Sequence, residues 1–352
     1  MVRFSEIINI KDESGKDQSP STPGDREDLL WFSNTQALRV RDEEMPLELQ
    51  GSSLQDRAGV EVIKYFEKFI ENEREIKDRV IKDRGISPSP ILSDIHHIID
   101  HDLIDDLNEY AMSRPDSYDW MLLHTVKVMI VSLKIGKGIG YDTKGLLELG
   151  LAAFLENVGM YKIPEFIRRK KDNLKKEEIS TIQKHPSVSF QILSNLGRRY
   201  GWLAEVALQV HERADGSGYP KGLVGEKIQE MASIIGLLDT YIAMTEEKPY
   251  RDKYLQSQAV NFIIKQTKKI FPPRILKIFL NQISLFPVNS IVRLNNQSIG
   301  RVISTDENQP LRPTIEILYD GRAKKVPNKE IIRLTENPLL YIIESIDEKL
   351  LP

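Results

Sequence analysis

His211-Glu212-Arg213-Ala214-Asp215-Gly216-Ser217-Gly218-Tyr219-Pro220 is the stretch on which the fold turns. Two glycines, a proline and an Asp-Gly step within one short run interrupt any helix or central strand, so the segment reads as a loop. An apolar helical face leads into it: Ala204, Ala207 and Leu208 share one side of a helix that begins near Trp202 and ends at His211. Working outward, the same arrangement recurs. The helix that begins near Asp119 carries a stripe of Met121, Val128, Val131 and Ile135, and His124 falls within it. In the next helix Leu149, Ala152 and Ala153 lead to Glu156, one turn before Gly159, which is expected to cap the helix. A carboxylate there sits at the negative end of the helix dipole and needs a compensating cation. The helix from Met231 sets Asp239 among Ile235, Leu238 and Ile242. His185 precedes Pro186 and is expected to end a helical stretch from Lys175, at a break that exposes its side chain.

Three imidazoles and two carboxylates on apolar stripes are costly to bury separately unless each is paired or bound to metal. One shared ion would satisfy all five; separate backbone partners would also do so, and both readings stand at this point.

The bulk numbers narrow the classes. The chain has 352 residues, enough for two or three domains, and 40% of them are hydrophobic, as in ordinary globular proteins. A formal net charge of -3 provides no positive field for a nucleic acid partner. The absence of cysteine excludes disulfides and thiolate metal sites, leaving His, Asp and Glu as metal ligands. The first residues lack the apolar core of a signal peptide and no run reaches membrane-spanning length, so a cytoplasmic protein without membrane contact is expected.

The reading divides the chain into four parts. Residues 1–54 form a polar arm broken by Ser19-Pro20 and Thr22-Pro23-Gly24. Residues 55–115 form a helical region, with an amphipathic run through Val62, Phe66, Phe69, Ile76 and Val80 and a second helix from Ile91 to Tyr110. Residues 116–284 are a helical domain, and residues 285–352 a small β-barrel-like module of five short antiparallel strands. The fold class is mainly α: a helical bundle preceded by a helical region and followed by the β module. The charged residues from Glu71 to Asp83 read as a hydrated helix face or, with residues 60–84 as a whole, the seam of a homodimer. His96, His97 and His101 read as a solvated face.

The string His211 to Pro220 resembles the signature loop of the HD-GYP family, bacterial metal-dependent phosphodiesterases that open cyclic di-GMP. The resemblance covers about residues 116–282, and the β module is similar to an extension that some members carry. His124-Thr125, Gly159, Ile163-Pro164, Lys184-His185-Pro186, Gly222-Leu223, Gly225, Asp239 and Tyr241 match the family's blocks. The resemblance implies an HD-type bundle, iron or manganese as cofactor, and His124, His185, His211 and Asp239 as ligands, with Glu156 able to add an oxygen. It implies phosphate binding by Lys248 and Arg251. It also implies that the loop of Asp215, Gly216, Gly218, Tyr219 and Pro220 meets diguanylate cyclase-type signalling proteins, with Tyr219 as an exposed contact.

Four positions depart from the pattern. Glu156-Asn157 stands for the name-giving His-Asp pair, Met160 for a lysine, Val210 for a second loop histidine, and Ile242 for a second acid. A neutral amide is a poor bridge between two dications, and Met160 removes a cation that could act on the phosphoryl group. The catalytic positions are therefore replaced, and the metal content falls to one iron or manganese ion or none. The preferred reading is a degenerate HD-GYP protein, impaired as an enzyme and acting as a cyclic di-GMP sensor or interaction module. The alternatives are an active phosphodiesterase with a rearranged site and an adaptor that needs neither metal nor nucleotide.

Overall fold

Apolar residues at alternating spacings of four and three build the long helix α1, Leu54–Ile81, and bury Val62, Phe66, Phe69, Ile76 and Val80 on one side. The computed structural model describes residues 54–352 apart from 114–117, 171, 247–253, 267–268, 284, 307–308, 310, 349–350 and 352. Nearly all of the expected amino-terminal arm, and Lys248 and Arg251, lie outside the described residues. The expected single helix from Ile91 to Tyr110 is two: α2, Ser89–Asp100, and α3, Ile104–Ser113. Asp102, with φ of 52°, makes the break, in a backbone region that aspartate tolerates better than most residues.

The central helix α4, Trp120–Ile139, starts where Asp119 accepts a hydrogen bond from the backbone N–H of Met121, and ends at Gly140 with φ of 93°. It is buried on almost every side, with α3, α5 (Thr143–Leu155), α10 (Glu230–Thr245) and α12 (Pro273–Gln282) packed around it. A 3₁₀ turn, Val158–Lys162, follows α5 and leads through the short α6, Glu165–Arg168, and α7, Lys176–Ile182, to α8, His185–Ser194. Then come α9, Gly201–Gln209, the signature loop, α10, α11 (Gln256–Gln266) and α12. Among the described residues no helix is long and apolar enough to cross a membrane.

Two sequence readings are corrected here. Gly159 is not a left-handed helix cap: α5 ends at Leu155, and Gly159 lies inside the 3₁₀ turn. A Cβ at Gly159 would lie 2.2 Å from the backbone oxygen of His185, so close approach to α8 is what calls for glycine. His185 does not end a helix in an exposed break. It begins α8, with Pro186 in the first turn where proline lacks no needed N–H, and it is buried.

The carboxy-terminal module is a five-stranded antiparallel sheet in the order β4-β3-β2-β1-β5. Its strands are β1 Ile291–Leu294, β2 Ile299–Ser304, β3 Thr314–Tyr319, β4 Lys325–Arg333 and β5 Ile342–Ile346. Val292, Leu294, Val302, Ile315, Ile317 and Leu334 form its core. Among the described residues β4 and β5 do not pair, so the ladder is open where a barrel would close.

Candidate metal centre and signature loop

Glu156, at the end of α5, is tied by Ser189 to α8, the helix that His185 begins. The Ser189 hydroxyl donates to the Glu156 carbonyl at 2.7 Å and accepts the Gly159 N–H at 2.9 Å. His211 arrives from the other side at the end of α9. Glu156, His185 and His211 each offer a ligand atom, and these three atoms lie within 4.8 Å of one another. Asp239, on α10, reaches His211 Nδ1 at 3.9 Å and His124 Nε2 at 2.9 Å. The fold thus links all five expected residues, with three of them in a tight group and Asp239 connecting His211 to His124.

The donor set has the chemistry of a cation site. His185 Nδ1 donates its proton to the carbonyl of Ile182 at 2.7 Å, so its Nε2 presents a lone pair. That lone pair faces His211 Nε2 at 2.9 Å. If neutral His211 carries its proton on Nε2, its other lone pair points at the Asp239 carboxylate; if on Nδ1, two lone pairs oppose each other. Protonating both nitrogens would resolve the conflict, but burial and the neighbouring His185 hold the His211 pKa well below its ordinary value. Burial likewise pushes His185 down to about 4, leaving it neutral and available as a ligand. Glu156 Oε1 accepts from the Asn157 amide, while Oε2 is buried without a hydrogen-bond partner. A divalent metal ion among these atoms would satisfy the orphaned oxygen and both imidazoles.

Charge follows the same geometry. Burial, then the nearby Asp239 and Glu73, raise the Glu156 carboxyl well above the usual carboxylate range. Burial also opposes ionisation of Asp239, yet the hydrogen bond from His124 and the neighbouring positive charge of Arg213 outweigh it, holding that carboxyl well below its ordinary value. Met160 packs against Ile163, Ile167 and Ile182 as apolar filling.

The signature loop is held by its own backbone. Glu212, buried, accepts the N–H groups of Lys221 at 2.6 Å and Leu223 at 2.8 Å. Tyr219 N–H donates to the His211 carbonyl at 3.1 Å. A Cβ on Gly218 would lie 2.4 to 2.5 Å from the backbone of His211, Glu212 and Arg213, so only glycine allows the loop to fold back here. The buried face holds a difference from expectation. Tyr219 is half-buried, and its ring stacks on His211 with centroids 5.0 Å apart and planes at 5°. Within His211 to Pro220, Asp215, Ser217 and Pro220 are exposed, while Gly216 and Gly218 are partly covered.

Sequence reasoning missed three buried carboxylates. Glu73, on α1, accepts from the Tyr161 hydroxyl. It fills a gap in the stripe between Phe69 and Ile76, and that gap was the available signal. Glu246 contacts His124 Nδ1 at 2.9 Å and lies on the same face of α10 as Asp239 and Ile242, at spacings of three and four. Glu212 had no periodic signal.

The HD domain family matches residues 111–275, and a second family, a KOW domain associated with HD domain, matches residues 291–351. The chain is 34% identical over 209 residues to the cyclic di-GMP phosphodiesterase PdeB of Borreliella burgdorferi, covering 58% of this chain and 54% of that protein. It is 33% identical over 158 residues to a cyclic di-GMP phosphodiesterase of Thermotoga maritima, covering 45% of this chain and 43% of the relative. The chain thus spans about half the length of these curated relatives. A solved HDG"Y"P protein of Bdellovibrio bacteriovorus shares the fold, with a TM-score of 0.51 at 16% identity over 66% of this chain and 72% of that one. Residues 111–275 therefore belong to the HD domain family and are of the HD-GYP type.

Proposed function

We propose that this chain is a cyclic di-GMP-responsive HD-GYP protein with little or no hydrolytic activity, serving as a nucleotide sensor or protein-interaction module around one iron or manganese ion. Support for the nucleotide comes from the relatives, which are named as cyclic di-GMP phosphodiesterases. The observation that carries the loss of activity is Asn157. Its neutral amide donates to Glu156, where a two-metal site would need a bridging anion.

In this reading Glu156, His185 and His211 hold the ion, with Asp239 beside them and His124 behind Asp239. The ion would supply Lewis acidity toward a phosphoryl oxygen. Lys248 and Arg251 take the phosphates, one as a point charge and one as a planar fork of donors. The loop around Asp215, Gly216, Gly218, Tyr219 and Pro220 offers its outer edge to a diguanylate cyclase-type partner. The exposed charged face of residues 60–84 stays hydrated or forms the seam of a homodimer, and the protein works in the cytoplasm as four parts, 1–54, 55–115, 116–284 and 285–352.

The open Oε2 of Glu156 favours a second reading, an active phosphodiesterase in which Glu156 serves as ligand. Calorimetric titration with cyclic di-GMP, with and without Mn²⁺, run beside a hydrolysis assay at stoichiometric protein, separates these. Binding without product supports the sensor. Product that disappears in His185→Ala supports the enzyme, and absence of both binding and product leaves the adaptor.

A further inference from the structure

Among the described residues, His124 has carboxylates at both ring nitrogens: Nε2 meets Asp239 at 2.9 Å and Nδ1 meets Glu246 at 2.9 Å. Glu246 is 3% exposed, and it caps the carboxy-terminal end of α10, where the helix dipole disfavours negative charge. Its compensation comes from α4. His124 and Lys127 lie three residues apart on one face, and Lys127 Nζ, on a residue 6% exposed, stands 4.0 Å from Glu246 Oε1. A buried chain of alternating character results, Asp239 to His124 to Glu246 to Lys127, passing three times between α10 and α4.

A carboxylate beside a metal is itself held by hydrogen bonds, and the group that donates them must be oriented in turn. We infer that Glu246 is a positioning residue for His124: it accepts from Nδ1 and so holds the ring with Nε2 donating to Asp239, the carboxylate beside the metal centre, with Lys127 balancing its charge. The sequence departs from the family pattern at Ile242, one turn earlier on the same face and fully buried. Glu246 places a carboxylate on that face one turn later. A mere structural ion pair between α4 and α10 would need only Lys127 and Glu246; the contact to His124 Nδ1 is what ties the pair to the site.

The inference rests on the single-ion centre proposed above, so the test has one readout with metal and one without. Mn²⁺ affinity is measured for wild type, Glu246→Ala, Glu246→Gln, His124→Ala and His211→Ala, with circular dichroism to verify folding. About a 10-fold weaker affinity is expected for Glu246→Ala, the low end of the range for loss of an outer partner at a metal site, because Glu246 acts through His124 and Asp239. A smaller loss is expected for Glu246→Gln, whose amide oxygen still accepts the Nδ1 proton, and no further loss when Glu246→Ala is added to His124→Ala. In metal-free protein, ¹⁵N-edited NMR should find the His124 Nδ1 proton in wild type and lose it in Glu246→Ala. If Glu246→Ala fails to fold, the Gln variant carries both readouts. Wild-type affinity indistinguishable from His211→Ala sinks the metal centre while leaving the NMR arm to judge Glu246. An Nδ1 without its proton in wild type, or full Mn²⁺ affinity in a folded Glu246→Ala set against weakened His124→Ala, overturns the inference.

Discussion

Glu73→Gln is expected to flatten the dependence of stability on pH. Glu73 is 2% exposed and accepts hydrogen bonds from the hydroxyls of Tyr161 and Thr125, while its Oε2 is buried without a hydrogen-bond partner. Burial dominates, and it pushes the carboxyl from an ordinary 4.5 up to about 8, against the two hydrogen bonds and the charge of Lys77. Between those values the unfolded chain has lost this proton and the folded chain keeps it. The folded state therefore binds more protons, and the contribution of Glu73 to stability is intact below 4.5, falls as pH rises, and is fully lost above about 8. At about 1.36 kcal/mol per pH unit the gap sets a ceiling of about 5 kcal/mol. Glutamine keeps an acceptor for Tyr161 and cannot ionise, so the variant should gain on wild type as pH rises. With about 2 °C per kcal/mol for a chain of this size, the relative gain in melting temperature between pH 5 and pH 8.5 should be on the order of 5–10 °C. Scanning calorimetry in the presence of a chelator, which removes any ion near Glu156, provides the comparison. Curves for wild type and variant that stay parallel across this range would refute a buried, protonated Glu73.

Three further outcomes follow from the same geometry. Mn²⁺ binding should strengthen as pH rises from 6 to 8, because the ion must displace a proton from Glu156, whose carboxyl is raised, while His185 is already neutral; affinities independent of pH would contradict this. Gly159→Ala should lower the melting temperature and weaken Mn²⁺ binding together, at a cost of about 1–3 kcal/mol in stability, since the new methyl meets the His185 carbonyl and the Ser189 N–H. A variant with wild-type stability would show that α8 yields easily. Glu212→Ala should speed hydrogen exchange at the Lys221 and Leu223 amides, which lose their acceptor, without changing α4; unchanged protection at both amides would mean that the loop is held elsewhere.

Much of the fold was legible because burial imposes a period on the chain. Helix α4 announced itself through Asp119 and the stripe that contains His124, and α10 through the apolar neighbours of Asp239. The β module was legible from short β-branched runs separated by turn residues, although β4 begins at Lys325, earlier than its apolar core suggested. Gly159 and His185 were misread for one reason: each takes its role from the other, across a backbone contact between segments about 26 residues apart. Local pattern contains no such information. Glu73 was masked by the charge around it, since a single acid in a dense mixed run looks solvated until its neighbours on the stripe are buried.

The amino-acid sequence by itself determined the helical architecture, the polar residues that interrupt the apolar stripes, and the loop from His211 to Pro220, because helix periodicity and glycine and proline constraints are local. Only the tertiary structure decided which of those polar residues share a site. It set Glu156, His185 and His211 within reach of one ion, turned Tyr219 onto His211, and brought Glu246 to His124. Those outcomes depend on distances between helices, and such distances follow from how whole faces pack, which no single stretch of sequence records.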